Sequence, residues 1–294
     1  MTTAVARRTA LREPAAVLAL LAWGAATSVL AQAPAEPHAH GAPAATAAAP
    51  AESEPAPHPW VVPPPSRAPE TYFTNLRNGD SREAPFVARF GLSMRGIVPA
   101  GLVAGNAGHH HLLINQPLPL DFTRPLPFTE KYIHFGKGQM EYLVDLPPGR
   151  YELRLLLADQ GHIPYFVYSK PLQFTVTKQN KGVTPESVLG PPRIEMLGLQ
   201  PGQALRGPFR VQFHASGYNV SHAGPRLKDT GHFRLTLERA GKREAIDFTG
   251  GQTETWLQPP PGDYTLRLEL VSNAGDGSAV MARTQPVGIT VNAR

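Results

Sequence analysis

The chain of 294 residues contains no cysteine. This absence excludes disulfide bonds, thiolate metal ligands, cysteine nucleophiles and cysteine lipidation at once. The fold must therefore be held by core packing alone. A basic stripe with interleaved aromatic residues is also lacking, and the formal net charge is only +5. A charge of this size favours weak attraction to acidic surfaces, and we expect no nucleic-acid partner.

Recognisable catalytic motifs are lacking as well. The sequence has no nucleophile elbow in a Ser–His–Asp order and no paired catalytic carboxylates. The Gly-Lys-Gly run at 136–138 precedes a strand-like segment, which argues against a phosphate-binding loop. We therefore expect a protein that is not an enzyme. A histidine-ligated metal ion with an open coordination position would be the one catalytic route.

The N-terminus has the order of a secretory signal peptide. Arg7, Arg8 and Arg12 precede an apolar stretch at 15–31, which ends in the small-residue pattern Val-Leu-Ala. We predict a signal peptide over 1–31 for the general secretory route, and hence a periplasmic or secreted protein. An uncleaved anchor is the alternative, because the stretch is about the minimum that spans a bilayer. Cleavage would leave 25 basic and 22 acidic residues, a net charge of +3, and no further membrane span.

Residues 32–69 are rich in alanine, proline, glutamate and histidine, with few larger apolar side chains. Such a segment buries too little surface to offset the entropy of ordering, so we predict a disordered linker. Its proline content makes it a semi-rigid, extended spacer. Three of its residues, His38, His40 and His58, are interpreted as solvated linker histidines that could bind metal weakly.

The remainder of the chain contains an internal repeat. Residues 136–157 match 249–270 through shared Gly, Gln, Glu, Pro-Pro-Gly, Tyr and Leu-Arg-Leu positions, and 84–93 match 207–216. The spacing shows about ten extra residues in the first copy, around 117–132. The repeat therefore predicts two domains of ordinary size.

We place the first domain at 70–178 and the second at 192–294, joined by a linker at 179–191. Helical periodicity is nearly absent, and short strands alternate with Pro/Gly turns. Tyr264 begins an alternating apolar and polar run, as in a half-buried antiparallel strand. The Pro-Pro-Gly-x-Tyr turn before it resembles the tyrosine corner of immunoglobulin-like sandwiches.

The predicted fold class is thus all-β, with two tandem immunoglobulin-like antiparallel β-sandwich domains after the signal peptide and the linker. In the first domain we expect six strands, near 72–76, 86–93, 109–115, 139–146, 151–159 and 172–177. The remaining strand of such a sandwich, strand D, would fall in the ten-residue insertion.

Five histidines converge in this topology. In an immunoglobulin-like sandwich, the B–C, D–E and F–G loops gather at one end. Strand 109–115 opens there with three histidines, another precedes strand 139–146, and a fifth follows strand 151–159. We therefore expect one rim to hold His109, His110, His111, His134 and His162. The second domain has His232, Phe233, Arg234, Asp247 and Gly275 at these positions, so a metal site would belong to the first domain only.

Strand alternation divides the three adjacent histidines. His110 should point to the core, whereas His109 and His111 should share the outer face. Either the outer pair chelates one ion, or His110 joins the histidines of the other two loops at the end of the core. Imidazole without thiolate suits copper(II), zinc or nickel, and we favour copper first and zinc second. Asp159 is a carboxylate that could orient one of the imidazoles. The competing interpretation is that the histidines are structural.

Four segments carry a family resemblance: FGLSMRGIVPAG at 90–101, GHHHLLIN at 108–115, HFGKGQMEYLVDLPPGRYELRLLLADQGHIP at 134–164 and the closing QFTVT at 173–177. In order and spacing they resemble the bacterial family DUF4399 over essentially all of 70–178. The second domain resembles a degenerate copy without the histidine signature. The resemblance implies an exported, β-rich domain and no established activity.

Two functions remain open from the sequence. One is a periplasmic metal-binding protein, a copper or zinc carrier or buffer. The other is a structural or adhesion module that binds cell-wall glycan or another envelope protein, with the histidines structural. Aromatic residues near the rim could stack on sugars or cover the end of the core; they are Tyr132, Tyr165, Phe166 and Tyr168.

Overall fold

The computed structural model describes residues 56–66 and 68–293. The predicted signal peptide and the first part of the predicted linker lie outside the described residues. Among the residues that are described, no helix has the length and hydropathy needed to cross a bilayer.

The first domain consists of nine strands. They are β1 (Glu70–Phe73), β2 (Asp80–Ala84), β3 (Phe86–Ser93), β4 (His109–Ile114), β5 (Tyr132–His134), β6 (Glu141–Val144), β7 (Gly149–Ala158), β8 (Pro164–Tyr168) and β9 (Leu172–Gln179). One sheet has the order β1-β3-β6, and the facing sheet has the order β2-β9-β7-β4-β5, with β8 paired to β7. Between them lies a core whose largest members include Phe90, Leu112, Leu153, Leu155 and Phe174.

A short helix, α1 (Pro185–Leu189), precedes the second domain and is capped by the side chain of Thr184. The second domain has ten strands. They are β10 (Arg193–Leu197), β11 (Gln203–Arg206), β12 (Phe209–Ser216), β13 (Asn219–Val220), β14 (Thr230–Arg239), β15 (Lys242–Phe248), β16 (Glu254–Leu257), β17 (Gly262–Ser272), β18 (Val280–Arg283) and β19 (Val287–Asn292). Its sheets repeat the first domain: β10-β12-β16 faces β11-β19-β17-β14-β13, with β15 on β14 and β18 on β17.

This strand pairing confirms the prediction of two tandem all-β sandwiches. The tyrosine corner is present in both copies. The Tyr151 hydroxyl donates to the Pro147 carbonyl oxygen at 2.8 Å, and the Tyr264 hydroxyl donates to that of Pro260 at 2.7 Å. Each of these bonds fixes the turn that feeds the central strand β7 or β17, so the alternation read from the sequence is anchored at its start.

The insertion does not form the expected strand D. It leads directly into β5, which pairs with β4 instead, and it folds over the outer face of the sheet. There it builds a small apolar layer from Leu113, Leu126, Leu156 and Ala158, flanked by Leu118, Phe122 and Tyr132. The outward side chains of β4 are therefore buried. Strand alternation predicted that these side chains lie on the outer face of the sheet, and it could not reveal that the insertion folds back over that face.

The two domains pack on each other with approximate two-fold symmetry. The backbone N–H of Ile97 donates to Gly251, and that of its counterpart Val220 donates to Gly138, both at 2.9 Å. Arg89 forms an ion pair with Glu195 at 2.8 Å across the same contact. Five apolar side chains of the first domain complete the core of the second: Leu92, Ile97, Met140, Leu157 and Val167. One hydrophobic cluster thus spans both domains, beside the separate core of the first domain.

The end of the predicted linker lies against the second domain. The backbone N–H of Val62 donates to the carbonyl oxygen of Trp256 at 2.9 Å, and that of Gln258 donates to Trp60 at 2.8 Å. The Trp60 ring packs edge-on to Tyr264, with 5.9 Å between the ring centroids. This part of the segment differs from the expected free spacer, because its Trp-Val-Val run supplies apolar surface and strand-like hydrogen bonding at the edge of β16. His58 is half-buried there, so it is not the solvated histidine that we expected.

Candidate metal centre

Two elements place three histidines on the outer face of the first domain. His109 and His111 alternate with core residues along β4, so both point away from the core. His134 lies on β5 directly opposite His111 in the strand register. The insertion therefore supplies a cover, and β5, which follows it directly, supplies a ligand.

The fourth histidine comes from the turn between β7 and β8. The carboxylate of Asp159 accepts hydrogen bonds from the backbone N–H groups of Gly161 and Ile163, both at 2.8 Å. The turn carries His162 beside the strand histidines. Asp159 was predicted as a carboxylate that could orient an imidazole, and its Oδ1 holds the backbone of the turn that carries His162.

The four imidazoles form one cluster. Nε2 of His109 and Nε2 of His111 lie 3.1 Å apart. One ring nitrogen of each of the three strand histidines lies within 4.8 Å of the others. The His162 ring centroid is 4.8 Å from that of His134 and 5.1 Å from that of His109. The three strand histidines can therefore reach a single ion, and the His162 ring lies beside them.

Each of the four imidazoles has one buried ring nitrogen without a hydrogen-bond partner, whereas Nε2 of His109 and Nε2 of His111 are within hydrogen-bond distance of each other. Buried nitrogens without a partner are Nδ1 of His109, Nδ1 of His111, Nε2 of His134 and Nε2 of His162. Leaving a buried polar atom unpaired costs roughly 1–3 kcal/mol. Such atoms call for an explanation in a stable fold, and a metal ion accepting their lone pairs would provide one.

Burial lowers the pKa of the three strand histidines in this cluster. Burial, and then the neighbouring imidazoles, lower the pKa of His109 to about 3 and that of His111 to about 2. Burial, and then the imidazole of His162, also lower the pKa of His134. Neutral imidazole is the form that ligates metals, so the site is prepared for a cation without first losing protons.

Phe128 closes the solvent side of the cluster. Its ring stands edge-on to His134 and His162, with centroid distances of 5.2 and 4.8 Å. His109 and His111 are fully buried, whereas the other two histidines are half-buried. The backbone N–H of Leu126 donates to the carbonyl oxygen of His162 at 2.9 Å, which fastens the insertion to the turn.

Gly136 makes room for His134. A Cβ atom at this glycine would lie 2.2 Å from Cε1 and 2.6 Å from Nε2 of the His134 ring. The sequence reasoning missed both Gly136 and Phe128. The available signals were Gly136, a glycine two residues after the candidate ligand His134, and Phe128, an aromatic residue within the insertion.

His110 does not belong to this cluster. It is fully buried on the opposite face of β4, against Phe90 at a centroid distance of 5.7 Å. Neither of its ring nitrogens has a partner, and burial lowers its pKa to about 4. Of the two arrangements left open by the sequence, the geometry therefore matches the outward one, in which His109 and His111 share a site.

The second domain shows what the same scaffold does without four histidines. His232 stands in the place of His109, and Nδ1 lies 2.7 Å from Oδ1 of Asn273. Arg234 and Asp247 stand in the places of His111 and His134, and their side chains form an ion pair at 2.6 Å. Gly275 takes the place of His162. These polar groups satisfy one another, whereas those of the first domain do not.

The aromatic residues expected near the rim divide into two pairs. Tyr132 packs into the apolar layer under the insertion, and Tyr165 packs against the core shared by the domains. Phe166 and Tyr168 are 76 % and 41 % exposed. The Phe166 ring stacks on Phe122 with 4.5 Å between the centroids, which leaves its other face open.

Comparison with protein families identifies the class to which the chain belongs. The family described as Domain of unknown function (DUF4399) matches residues 88–177 and 211–292, which together are more than half of the chain. The chain therefore belongs to this family and carries two copies of its domain. The first copy contains all four clustered histidines. No curated protein matches the chain.

Solved structures with a similar arrangement include fibronectin modules. The fibronectin(III)-like modules of Clostridium thermocellum CbhA are 10 % identical over 76 % of this chain and 94 % of theirs, with a TM-score of 0.21. The FN1–FN3 domains of chicken CNTN1 are 10 % identical, covering 78 % and 69 %, with a TM-score of 0.23. A two-domain fibronectin type-III segment of chicken tenascin is 13 % identical, covering 75 % and 96 %, with a TM-score of 0.19. At such scores we draw no argument from the likeness, and the fold rests on the strand pairing above.

Proposed function

We propose that the protein binds one copper or zinc ion in its first domain through His109, His111, His134 and His162. The observation that carries this proposal is the convergence of four imidazoles, each of which has one buried ring nitrogen without a hydrogen-bond partner. Histidines with a purely structural role are normally hydrogen-bonded when buried. A cation would accept one ring-nitrogen lone pair from each imidazole.

The second domain supports the proposal as an internal comparison. The same backbone positions there hold an arginine and an aspartate that neutralise each other. A fold that needed only to fill this space could use that ion pair. The first domain instead keeps four neutral bases together, at the cost of burying unpaired nitrogens.

The ligand type selects the class of metal. An all-imidazole set suits copper and zinc, whereas magnesium and calcium prefer oxygen ligands. The four neutral ligands leave the charge of the ion uncompensated within the cluster. We propose a binding role without catalysis, and an exported location that follows from the signal-like N-terminus.

The test is a calorimetric titration of the full chain with copper(II) and with zinc. The matched control is the double variant His111→Arg/His134→Asp, which installs the ion pair of the second domain. We expect one equivalent of tightly bound metal in the wild type and its loss in the variant. Since both proteins retain every histidine of the predicted linker, equal binding by the two would refute the proposed site.

Thermal unfolding with and without metal provides an independent measurement of binding. A ligand that binds only the folded state stabilises it by about 2.7 kcal/mol at a free concentration of 100 times Kd. The wild type should therefore melt at a higher temperature with metal, and the double variant should not.

A glycan-binding role is the second candidate, and the exposed aromatic pair favours it. The open face of Phe166 and the neighbouring Tyr168 offer a surface on which a sugar ring could stack. The test is retention of the full chain on peptidoglycan, compared with a Phe166→Ala/Tyr168→Ala variant. Equal retention of the two proteins would argue against this role.

A further inference from the structure

We propose that the ion is exchanged at the edge of the cluster formed by His162 and Phe128, so that the protein is a metal carrier. This inference rests on the proposed function and assigns unequal roles to its four ligands. His109, His111 and His134 would retain the ion, and His162 would be the ligand that leaves during transfer.

The supporting elements of the ligands differ in rigidity. His109 and His111 lie on β4, which is held by β7 on one side and by β5 on the other. His134 lies on β5 within the same ladder. His162 lies on a turn, and turns open more readily than paired strands. The ligand most free to move is therefore also one of the two at the solvent edge.

The backbone of His162 is strained. Its φ is +66°, in the left-handed region that residues with a side chain seldom adopt. The equivalent residue of the second domain is Gly275, with a φ of +67°. The turn therefore has the same shape in both domains, and only the first places an imidazole on it. Backbone strain at a single residue is typical of a functional site. A movement of His162 away from the ion would release this strain.

Phe128 is suited to open and close this edge. Its ring touches both half-buried imidazoles, yet 63 % of its surface remains exposed. Displacing it would therefore sacrifice little buried apolar area. An incoming donor atom could then bind the ion as the bond to His162 breaks. Such a step exchanges one lone pair for another and requires no redox partner.

The experiment measures zinc removal from the full chain by the chromophoric chelator 4-(2-pyridylazo)resorcinol in a stopped-flow instrument. His162→Gly should still bind one zinc ion, with affinity lower by about 10–100-fold and faster removal. Phe128→Ala should speed removal several-fold while affinity changes little. Phe166→Ala is the control, because this exposed ring stacks on Phe122 and not on an imidazole; its rate should equal that of the wild type.

The outcomes separate the two proposals. Zinc binding by the wild type with unchanged removal rates in both variants would overturn the carrier role and leave the metal site intact. Loss of all binding in His162→Gly would do the same, since it would make His162 an indispensable ligand. A wild type that binds no zinc and no copper would overturn both proposals. Because glycine relieves the strained turn, His162→Gly should melt no lower than the metal-free wild type, which guards against misfolding as the cause.

Discussion

His111 and His134 face each other across the β4–β5 pair, at the positions where the second domain pairs Arg234 with Asp247. The same pair of backbone positions thus holds two imidazoles in the first domain and an ion pair in the second. The Arg234–Asp247 ion pair satisfies both side chains, whereas Nδ1 of His111 and Nε2 of His134 have no partner.

Replacing His110 with phenylalanine should stabilise the protein and leave its metal affinity unchanged. Both ring nitrogens of His110 are buried and unpaired, and the second domain has Phe233 at this position, packed against Phe213. Removing the unpaired groups should raise the free energy of unfolding by about 1–3 kcal/mol. Urea unfolding and zinc titration of the His110→Phe variant check both parts. Loss of metal binding would show that His110 contributes to the site after all.

Substituting Gly136 with alanine should weaken metal binding by displacing the His134 ring. The added Cβ would lie 2.2 Å from that ring, so the imidazole must rotate out of the cluster. We expect affinity to fall by about 10–100-fold, the usual effect of disturbing the support of a ligand. Gly288→Ala serves as the control, because its Cβ would meet no atom within 4 Å. Equal affinities of the two variants would contradict the assigned role of Gly136.

The contact between the domains should weaken on acidification. Nε2 of His214 lies 3.2 Å from the Glu141 carboxylate of the other domain. Burial lowers the pKa of His214, while hydrogen bonds from His214 and Ser216 lower the pKa of Glu141 against the opposing effect of burial. For both groups the unfolded chain binds protons at a higher pH than the folded protein does, so stability falls with pH below about 6.5 for the histidine and below about 4.5 for the glutamate.

Urea unfolding of wild type and His214→Gln between pH 7.5 and 5.5 measures this effect. The variant lacks one titrating group, so its free energy of unfolding should decline less steeply over that range. Parallel curves would show that His214 does not contribute to the pH dependence.

An alanine at Gly138 should disrupt the pairing of the domains. The φ of this glycine is +91°, and a Cβ would lie 2.1 Å from the carbonyl oxygen of Val220. Gly79 is a close control, because its φ is +88° and a Cβ there would meet nothing within 4 Å. Gly79→Ala should cost about 1 kcal/mol through the backbone alone. Gly138→Ala should cost clearly more, and similar melting temperatures for the two variants would contradict the close contact.

Much of the fold could be predicted from the sequence because its signals are local. The alternation after Pro-Pro-Gly-x-Tyr fixes strands β7 and β17, and the repeat defines two copies. The outward direction of His109 and His111 also follows from alternation. Strands β2 and β8 were missed, since each is short and depends on its neighbours for pairing.

The rest of the site depends on contacts between distant residues. The burial of His111 results from the insertion folding back, which no periodicity reveals. The separation of His110 from His162 arises because they lie on opposite faces of one sheet. The role of Asp159 is a backbone interaction within a turn, and a sequence offers no means to distinguish that from a bond to an imidazole.

The attachment of Trp60 to the edge of β16 has a mechanical consequence. The chain is first fastened to the second domain and then continues into the first, so these residues tie the two ends of the folded region together. A force applied from the N-terminal side would reach strand β16 before it reached β1.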